Sequence, residues 1–145
     1  MTTTVTSGLG KRLVDQGILS ANALSDALHA SLHEKLSLVS YLVQNELATA
    51  AHIAVEAAEE FGIPVFDLDA FDAELLPREL VEPKLILHHR AIPLMKRGTR
   101  LFVALSDPTN LTALDEMRFA TGLTTDPILV EEDKLSRLLE QASDD

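Results

Sequence analysis

Residues 8–19 read GLGKRLVDQGIL, and residues 37–48 read SLVSYLVQNELA. Each stretch opens one copy of an internal repeat, over residues 8–31 and 37–60, and the copies are offset by 29 positions. The shared apolar positions are Leu9, Leu13, Val14, Ala21 and Leu24 in the first copy and Leu38, Leu42, Val43, Ala50 and Ile53 in the second. Apolar residues spaced by one helical turn are typical of amphipathic helices. The repeat therefore predicts two helix–turn–helix units, a surface that can bind a partner.

The turn residues of the repeat predict where its helices begin and end. Gly17 can end the first helix in a left-handed conformation, and Ser20 can cap the second. Thr49 can cap the fourth helix, which Gly62 ends. We expect four short helices that form a compact bundle over residues 8–61.

Beyond Gly62 the apolar pattern changes from helical to strand-like. The predicted elements are an edge strand over 63–68, a helix over 84–90 that starts after Pro83, a β-hairpin of 91–95 and 100–105, a helix from Asn110 to Gly122, a strand over 127–130 and a helix over 133–141. The sequence thus predicts an α+β fold, with a helical subdomain over 8–61 and a small α+β subdomain over 62–141. Residues 1–7 are expected to be disordered, and residues 142–145 to begin a linker.

Composition limits the functional classes. The chain has 145 residues, of which 46% are hydrophobic, 24% are charged and none is cysteine. This excludes disulfides, thiolate metal sites and a cysteine nucleophile. A net charge of −11 opposes binding to nucleic acid or anionic lipid. No stretch approaches the roughly 20 apolar residues needed to span a bilayer, so we expect a cytoplasmic protein without membrane insertion.

Several polar clusters resemble sites but are explained more simply. His29 and His33 share a helix face without a third ligand, which favours a solvated face over a metal site. The acidic residues of segment 67–74 lack the glycine and final glutamate of a calcium loop. Cationic Arg90 and its two preceding histidines stand where a helix dipole favours positive charge. Lys96, Arg97 and Arg100 form a basic cluster in a predicted hairpin turn that is either solvated or in contact with an acidic neighbouring domain. We expect no metal and no cofactor.

Three stretches carry a family resemblance: residues 8–19, the junction EFGIPVFDL over 60–68, and VALSDP over 103–108. Their order and spacing resemble the N-terminal, MshEN-type domain of the hexameric ATPases of type IV pilus extension and type II secretion. The similarity spans roughly residues 8–141, and the PilB-like pilus-extension branch fits best. The resemblance implies that an ATPase motor follows this domain in the parent chain. The sequence contains no GxxxxGK[ST] phosphate-binding loop, so we expect the domain itself to be no enzyme.

Some members of this family bind cyclic di-GMP through a tandem motif, RLGxxLVxxG followed by a helix that ends in glutamine. Gly8 and Ser37 replace the motif's arginines, and Ser31 and Glu60 replace its glutamines. The first copy retains Leu9, Gly10, Leu13, Val14, Gly17 and Ile18, whereas the second has Val39 and Glu46 in place of glycines. Because acidic residues also outnumber basic ones in the helical half, direct binding of cyclic di-GMP is the alternative function rather than the first.

Pilus-extension ATPases with such a degenerate motif resemble those regulated by a PilZ-type adaptor protein that docks on the N-terminal domain. The candidate docking residues are Leu9, Leu13, Val14, Ile18 and Leu19. These aliphatics exceed what a two-turn helix needs to bury on one side, although burial of any one of them in the core is the competing interpretation. We expect Leu13 to close the bundle and either Ile18 or Leu19 to be available to a partner. The resemblance also implies a place at the cytoplasmic face of the pilus machinery.

Overall fold

A computed structural model describes residues 7–77 and 79–143 of the chain. The helices and strands, in chain order, are α1 (Ser7–Asp15), α2 (Ala21–Glu34), α3 (Leu38–Gln44), α4 (Ala50–Phe61), α5 (Pro83–His89), β1 (Ile92–Arg97), β2 (Arg100–Leu105), α6 (Leu111–Thr121), β3 (Thr124–Leu129) and α7 (Glu132–Ser143). Residues 1–7 are predicted to be disordered. Residues 1–6 lie outside the described residues, whereas Ser7 is the first residue of α1. The last helix extends two residues past its predicted end, so residues 142 and 143 of the expected linker are helical, and residues 144 and 145 lie outside the described residues.

The two copies of the repeat form α1–α2 and α3–α4, and their connecting turns have the same hydrogen bonds. The N–H of Ile18 donates to the carbonyl of Leu13 at 2.9 Å in the first turn. The N–H of Leu47 donates to the carbonyl of Leu42 at 2.9 Å in the second. Since these pairs are related by the 29-residue offset, the sequence repeat is also a structural repeat.

Helix caps and a left-handed residue define both turns. Ser20 and Thr49 accept a hydrogen bond from a backbone N–H in the first turn of α2 and α4, and Ser37 does the same for α3. Gly17 has a φ of +77°, and at the equivalent position Glu46 has a φ of +57°. A non-glycine residue pays a steric cost in this region, so the second copy keeps the turn with a less suitable residue.

The sheet contains three strands in the order β1-β2-β3. Strands β1 and β2 form the predicted antiparallel hairpin, and β2 pairs in parallel with β3 after the crossover through α6. Strand β3 begins at Thr124, three residues before the predicted start. Its Pro127 was expected to open the strand but lies within it. Proline is tolerated there because β3 is an edge strand, where its missing N–H costs no ladder bond.

The predicted edge strand over 63–68 is wrong. Val65 forms only an isolated parallel bridge with Leu129, and the Leu129 N–H donates to the carbonyl of Pro64 at 3.0 Å. The extended pairing ends because the Asp67 side chain caps a 3₁₀ turn that starts at the next residue. The segment therefore covers the end of β3 without extending the sheet.

The buried core runs without interruption from the helical half, residues 7–61, into the α+β half, residues 62–143. Helix α7 joins them, because it contacts α3 and α4 on one side and α5 and β2 on the other. Its Leu135 is fully buried. The α+β class is as predicted, and the division into subdomains at residue 62 stays a prediction. Within the described ranges, no helix has both the length and the apolar character needed to span a membrane.

Candidate functional site

The structure separates the five predicted docking residues into two groups. Leu9, Leu13 and Leu19 are buried, with 2%, 0% and 7% of their surface exposed. All three belong to the hydrophobic core, and Leu9 also lines the cavity described below, so none of them contributes to an exposed aliphatic surface. Val14 and Ile18 are half-buried and pack against the edge of the core. Of the pair that follows Gly17, Ile18 is the accessible residue, because Leu19 turns inward.

A groove lies between the two turns of the repeat, and we call it the end groove. Its apolar lining includes Ile18 from the first copy, Leu47 from the second and Val43 from α3. Leu47 is 41% exposed, and the groove encloses about 670 Å³. Polar residues from both turns, α4 and α7 also line the groove, among them Gln16, Glu46, His52 and Asp133. An apolar floor with polar surroundings is the composition of a protein-docking surface. The sequence repeat already indicates that Ile18 and Leu47 occupy equivalent positions, since Leu47 stands 29 positions after Ile18.

Two of the substituted motif positions meet at the α1–α4 contact. The Glu60 carboxylate lies over Gly8, so closely that a Cβ at residue 8 would collide with it. Arg12 is surrounded by carboxylates, with Nε 2.5 Å from Glu56, one Nη 2.5 Å from Glu59 and the other 3.7 Å from Glu60. The hydrogen bond to Glu56 is the main cause of the raised pKa of Arg12. One cation among three carboxylates leaves this region negative.

Ser31 and Ser37, which replace the other glutamine and the other arginine of the motif, line a cavity of about 460 Å³ between the helical half and the α+β half, together with Leu9 of the motif. Lys35 also lines this inter-half cavity, and Arg90 and Asp107 line it from the α+β half. The structure therefore brings together Ser31 and Ser37, while Gly8 faces Glu60 instead. The cavity contains more cationic than anionic side chains, in contrast to the chain as a whole.

Glu132, in the first turn of α7, is the polar centre of the interface between the halves, and its side chain is 1% exposed. Its carboxylate accepts hydrogen bonds from Ser40 Oγ of α3 at 3.1 Å and from Ser106 Oγ at 2.5 Å. Arg90 donates to the same carboxylate at 2.5 Å, and Ser136 does so at 3.3 Å. This cluster has no pattern in the sequence, where Arg90 is explained by the dipole of α5 alone. Only the left-handed backbone of Arg90, with a φ of +49°, could have marked it, and that conformation cannot be read from the sequence.

The remaining polar residues of the sequence analysis are either exposed or paired within the domain. His29 and His33 are exposed, and within the residues that the structure describes no group of three potential ligands could hold a metal ion. Asp67 pairs with Lys134 of α7 at 3.0 Å, and that hydrogen bond lowers the pKa of Asp67. Arg100 of the basic hairpin cluster pairs with Asp126 of β3 at 2.7 Å, which raises the pKa of Arg100.

Comparison with known proteins identifies the family of this fold. The model of the MshEN domain matches residues 61–145. Type IV pilus assembly ATPase PilB of Pseudomonas aeruginosa is 44% identical over 142 residues, which cover 95% of this chain and 25% of that protein. PilB of Acinetobacter baylyi is 41% identical over 135 residues, which cover 93% of this chain and 23% of that protein. The chain belongs to the MshEN domain family and spans about a quarter of the length of these curated relatives.

Two solved structures have the same fold. The N-terminal domain of XpsE matches with a TM-score of 0.72 at 21% identity, over 92% of each chain. The structure described as MshE with cdg matches with a TM-score of 0.67 at 24% identity, over 92% of this chain and 97% of that chain. These matches confirm the predicted α+β class.

Proposed function

We propose that this domain is a non-catalytic regulatory module of a type IV pilus extension ATPase and that it docks a PilZ-type adaptor protein through the end groove. The adaptor couples pilus biogenesis, and hence twitching motility, to second-messenger signalling. The motor domain of the same parent chain supplies ATP hydrolysis, in a hexamer at the cytoplasmic face of the pilus machinery. The observation that carries this proposal is the exposed aliphatic surface at the paired turns of the repeat.

The relatives support the parent's identity. Both PilB proteins are described as type IV pilus assembly ATPases, and the matched region is about a quarter of each. A phosphate-binding loop is missing from this sequence, so the parent's nucleotide chemistry must be performed elsewhere. A domain of this kind contributes through binding.

The end groove supports docking on physical grounds. Fully burying an aliphatic side chain is worth about 1.5–3 kcal/mol, so completing the burial of partly exposed Ile18, Val43 and Leu47 would stabilise a complex by about 1 kcal/mol each. Backbone hydrogen bonds to the preceding helices fix both turns, which lowers the entropic cost of ordering them upon binding. The three aliphatic side chains would form the apolar centre of the interface, and the polar lining of the groove its rim.

Introducing a negative charge into the end groove tests the proposal. Ile18→Asp and Leu47→Asp place a carboxylate in the proposed interface without emptying the core, because both residues are partly exposed. Each should weaken binding of the PilZ-type protein from the same genome by about 100-fold or more, measured by biolayer interferometry. Leu111→Asp is the matched control, because Leu111 is 63% exposed on α6. Full binding by both groove variants, each shown to be folded by circular dichroism, would reject the end groove as the docking site.

Direct binding of cyclic di-GMP is the second candidate. It is favoured by the inter-half cavity, which the motif positions Leu9, Ser31 and Ser37 line together with Lys35 and Arg90, and by the structural likeness to MshE, whose structure is described as being with cdg. It is opposed by the missing arginines and by the Glu60 carboxylate over Gly8. Titration calorimetry of the domain with cyclic di-GMP separates the two candidates, since micromolar binding would favour the sensor.

A further inference from the structure

The Glu132 cluster links three segments that are far apart in the chain. Ser40 lies 92 residues from Glu132, Arg90 lies 42 away and Ser106 lies 26 away. Burial of a carboxylate is costly unless it is paired and hydrogen-bonded. The four donors around Glu132 offset that cost only when all three segments are in place. The cluster therefore fixes the position of α7 relative to α3.

Arg90 is a second indication that the cluster requires these particular residues. It holds a left-handed backbone at the end of α5, where glycine is the usual residue. Its Nε is buried without a hydrogen-bond partner among the described residues. The hydrogen bond to Glu132 needs a long guanidinium side chain. It explains why arginine is present here despite its left-handed backbone and its buried Nε.

The cluster lies directly behind the end groove. In α3, Ser40 bonds Glu132, and Val43, one helical turn further on, lines the groove. In α7, Asp133 follows Glu132 and also lines the groove. Any shift of the first turn of α7 against α3 must therefore move one wall of the groove relative to the other.

We propose that Glu132 is a positioning residue for the docking surface: its bonds to Ser40, Ser106 and Arg90 hold α3 and α7 at the spacing that gives the end groove its binding shape. This inference rests on the proposed function, because it assumes that the groove is the docking site. Glu132 does not touch the partner. It acts through Val43 and Asp133.

Glu132→Gln is the direct test, because it keeps the size of the side chain and removes the charge that Arg90 requires. Glu131→Gln is the matched control: the same chemical change at the neighbouring residue, whose carboxylate forms an ion pair with Lys134 at 3.8 Å. We expect Glu132→Gln to weaken adaptor binding on the order of tenfold and to shift the methyl NMR signals of Val43 and Leu47. Glu131→Gln should change neither. Binding is measured well below the unfolding midpoint of every variant.

The outcomes separate a positioning role from a structural one. A folded Glu132→Gln domain with a lower melting temperature, unchanged adaptor affinity and unchanged methyl signals would overturn the inference. If that variant does not fold, Ser106→Ala removes a single hydrogen bond and is judged by the same two criteria. If the wild-type domain binds no PilZ-type protein, the proposed function fails. Unchanged methyl signals in Glu132→Gln would separately reject the positioning role of Glu132.

Discussion

Glu46→Gly should stabilise the domain, although it introduces glycine into a well-formed turn. Glu46 has a φ of +57°, a conformation that costs a non-glycine residue about 1–2 kcal/mol. Glycine removes this cost but increases the entropy of the unfolded chain, which offsets about 0.4–1 kcal/mol. The net gain should be about 0.5–1 kcal/mol.

The repeat provides the reciprocal change and a control. Gly17 has the same conformation in the first copy, and a Cβ there would have no neighbour within 4 Å. Gly17→Ala should therefore destabilise by about 0.5–1 kcal/mol through the backbone alone. Gln44→Gly, at the last residue of helix α3, should destabilise the domain by less than the roughly 1 kcal/mol that glycine costs in a helix interior.

Urea denaturation of the three variants measures these changes, with thermal shifts of about 1–4 °C as an independent check. The reasoning requires opposite signs for Glu46→Gly and Gly17→Ala. If Glu46→Gly destabilised the domain as Gln44→Gly does, the two turns would not be equivalent and the structural repeat would be refuted.

Three further predictions concern the core, the ion pairs and ligand binding. Leu42→Ala, at a fully buried position shared by both copies, should destabilise the domain by about 2–5 kcal/mol in urea denaturation, and a loss below 1 kcal/mol would contradict its place in the core. Lys134 lowers the pKa of Asp67 in the folded state, so wild type should be more stable than Asp67→Asn at neutral pH. This difference in stability should decline as the pH falls through the ordinary aspartate pKa of about 3.9 towards the lowered value. A difference that instead grew on acidification would show that the pair does not stabilise the fold. Cyclic di-GMP should give no saturable heat in calorimetry up to about 100 μM, where binding would be worth only about 5 kcal/mol, and saturation at micromolar ligand would contradict the ranking of functions.

The sequence predicted the features of this fold that depend on neighbouring residues. Ser20 and Thr49 cap helices as expected, because a cap is decided within four residues. Gly122 ends α6 for the same reason. The error over 63–68 has a different origin: an apolar stretch resembles a strand, but the Asp67 side chain caps a turn that ends the pairing with Leu129 after a single bridge.

The candidate site was predicted only in part. The repeat predicted the two turns that line the end groove, but it could not tell that Leu19 is buried while Ile18 remains partly exposed. It also could not reveal Glu132, whose partners lie up to 92 residues away and share no pattern with it. Long-range polar clusters of this kind follow from tertiary packing, which leaves no local signal.

Hydrogen–deuterium exchange of the domain, with and without its PilZ-type adaptor, tests the central claim most directly. The docking proposal predicts slower exchange at residues 14–19 and 43–48, the two turns that form the end groove, because the adaptor would cover both. Protection confined to the inter-half cavity at residues 31–38 and 105–110, or to the hairpin at 96–100, with no change at the paired turns, would contradict it.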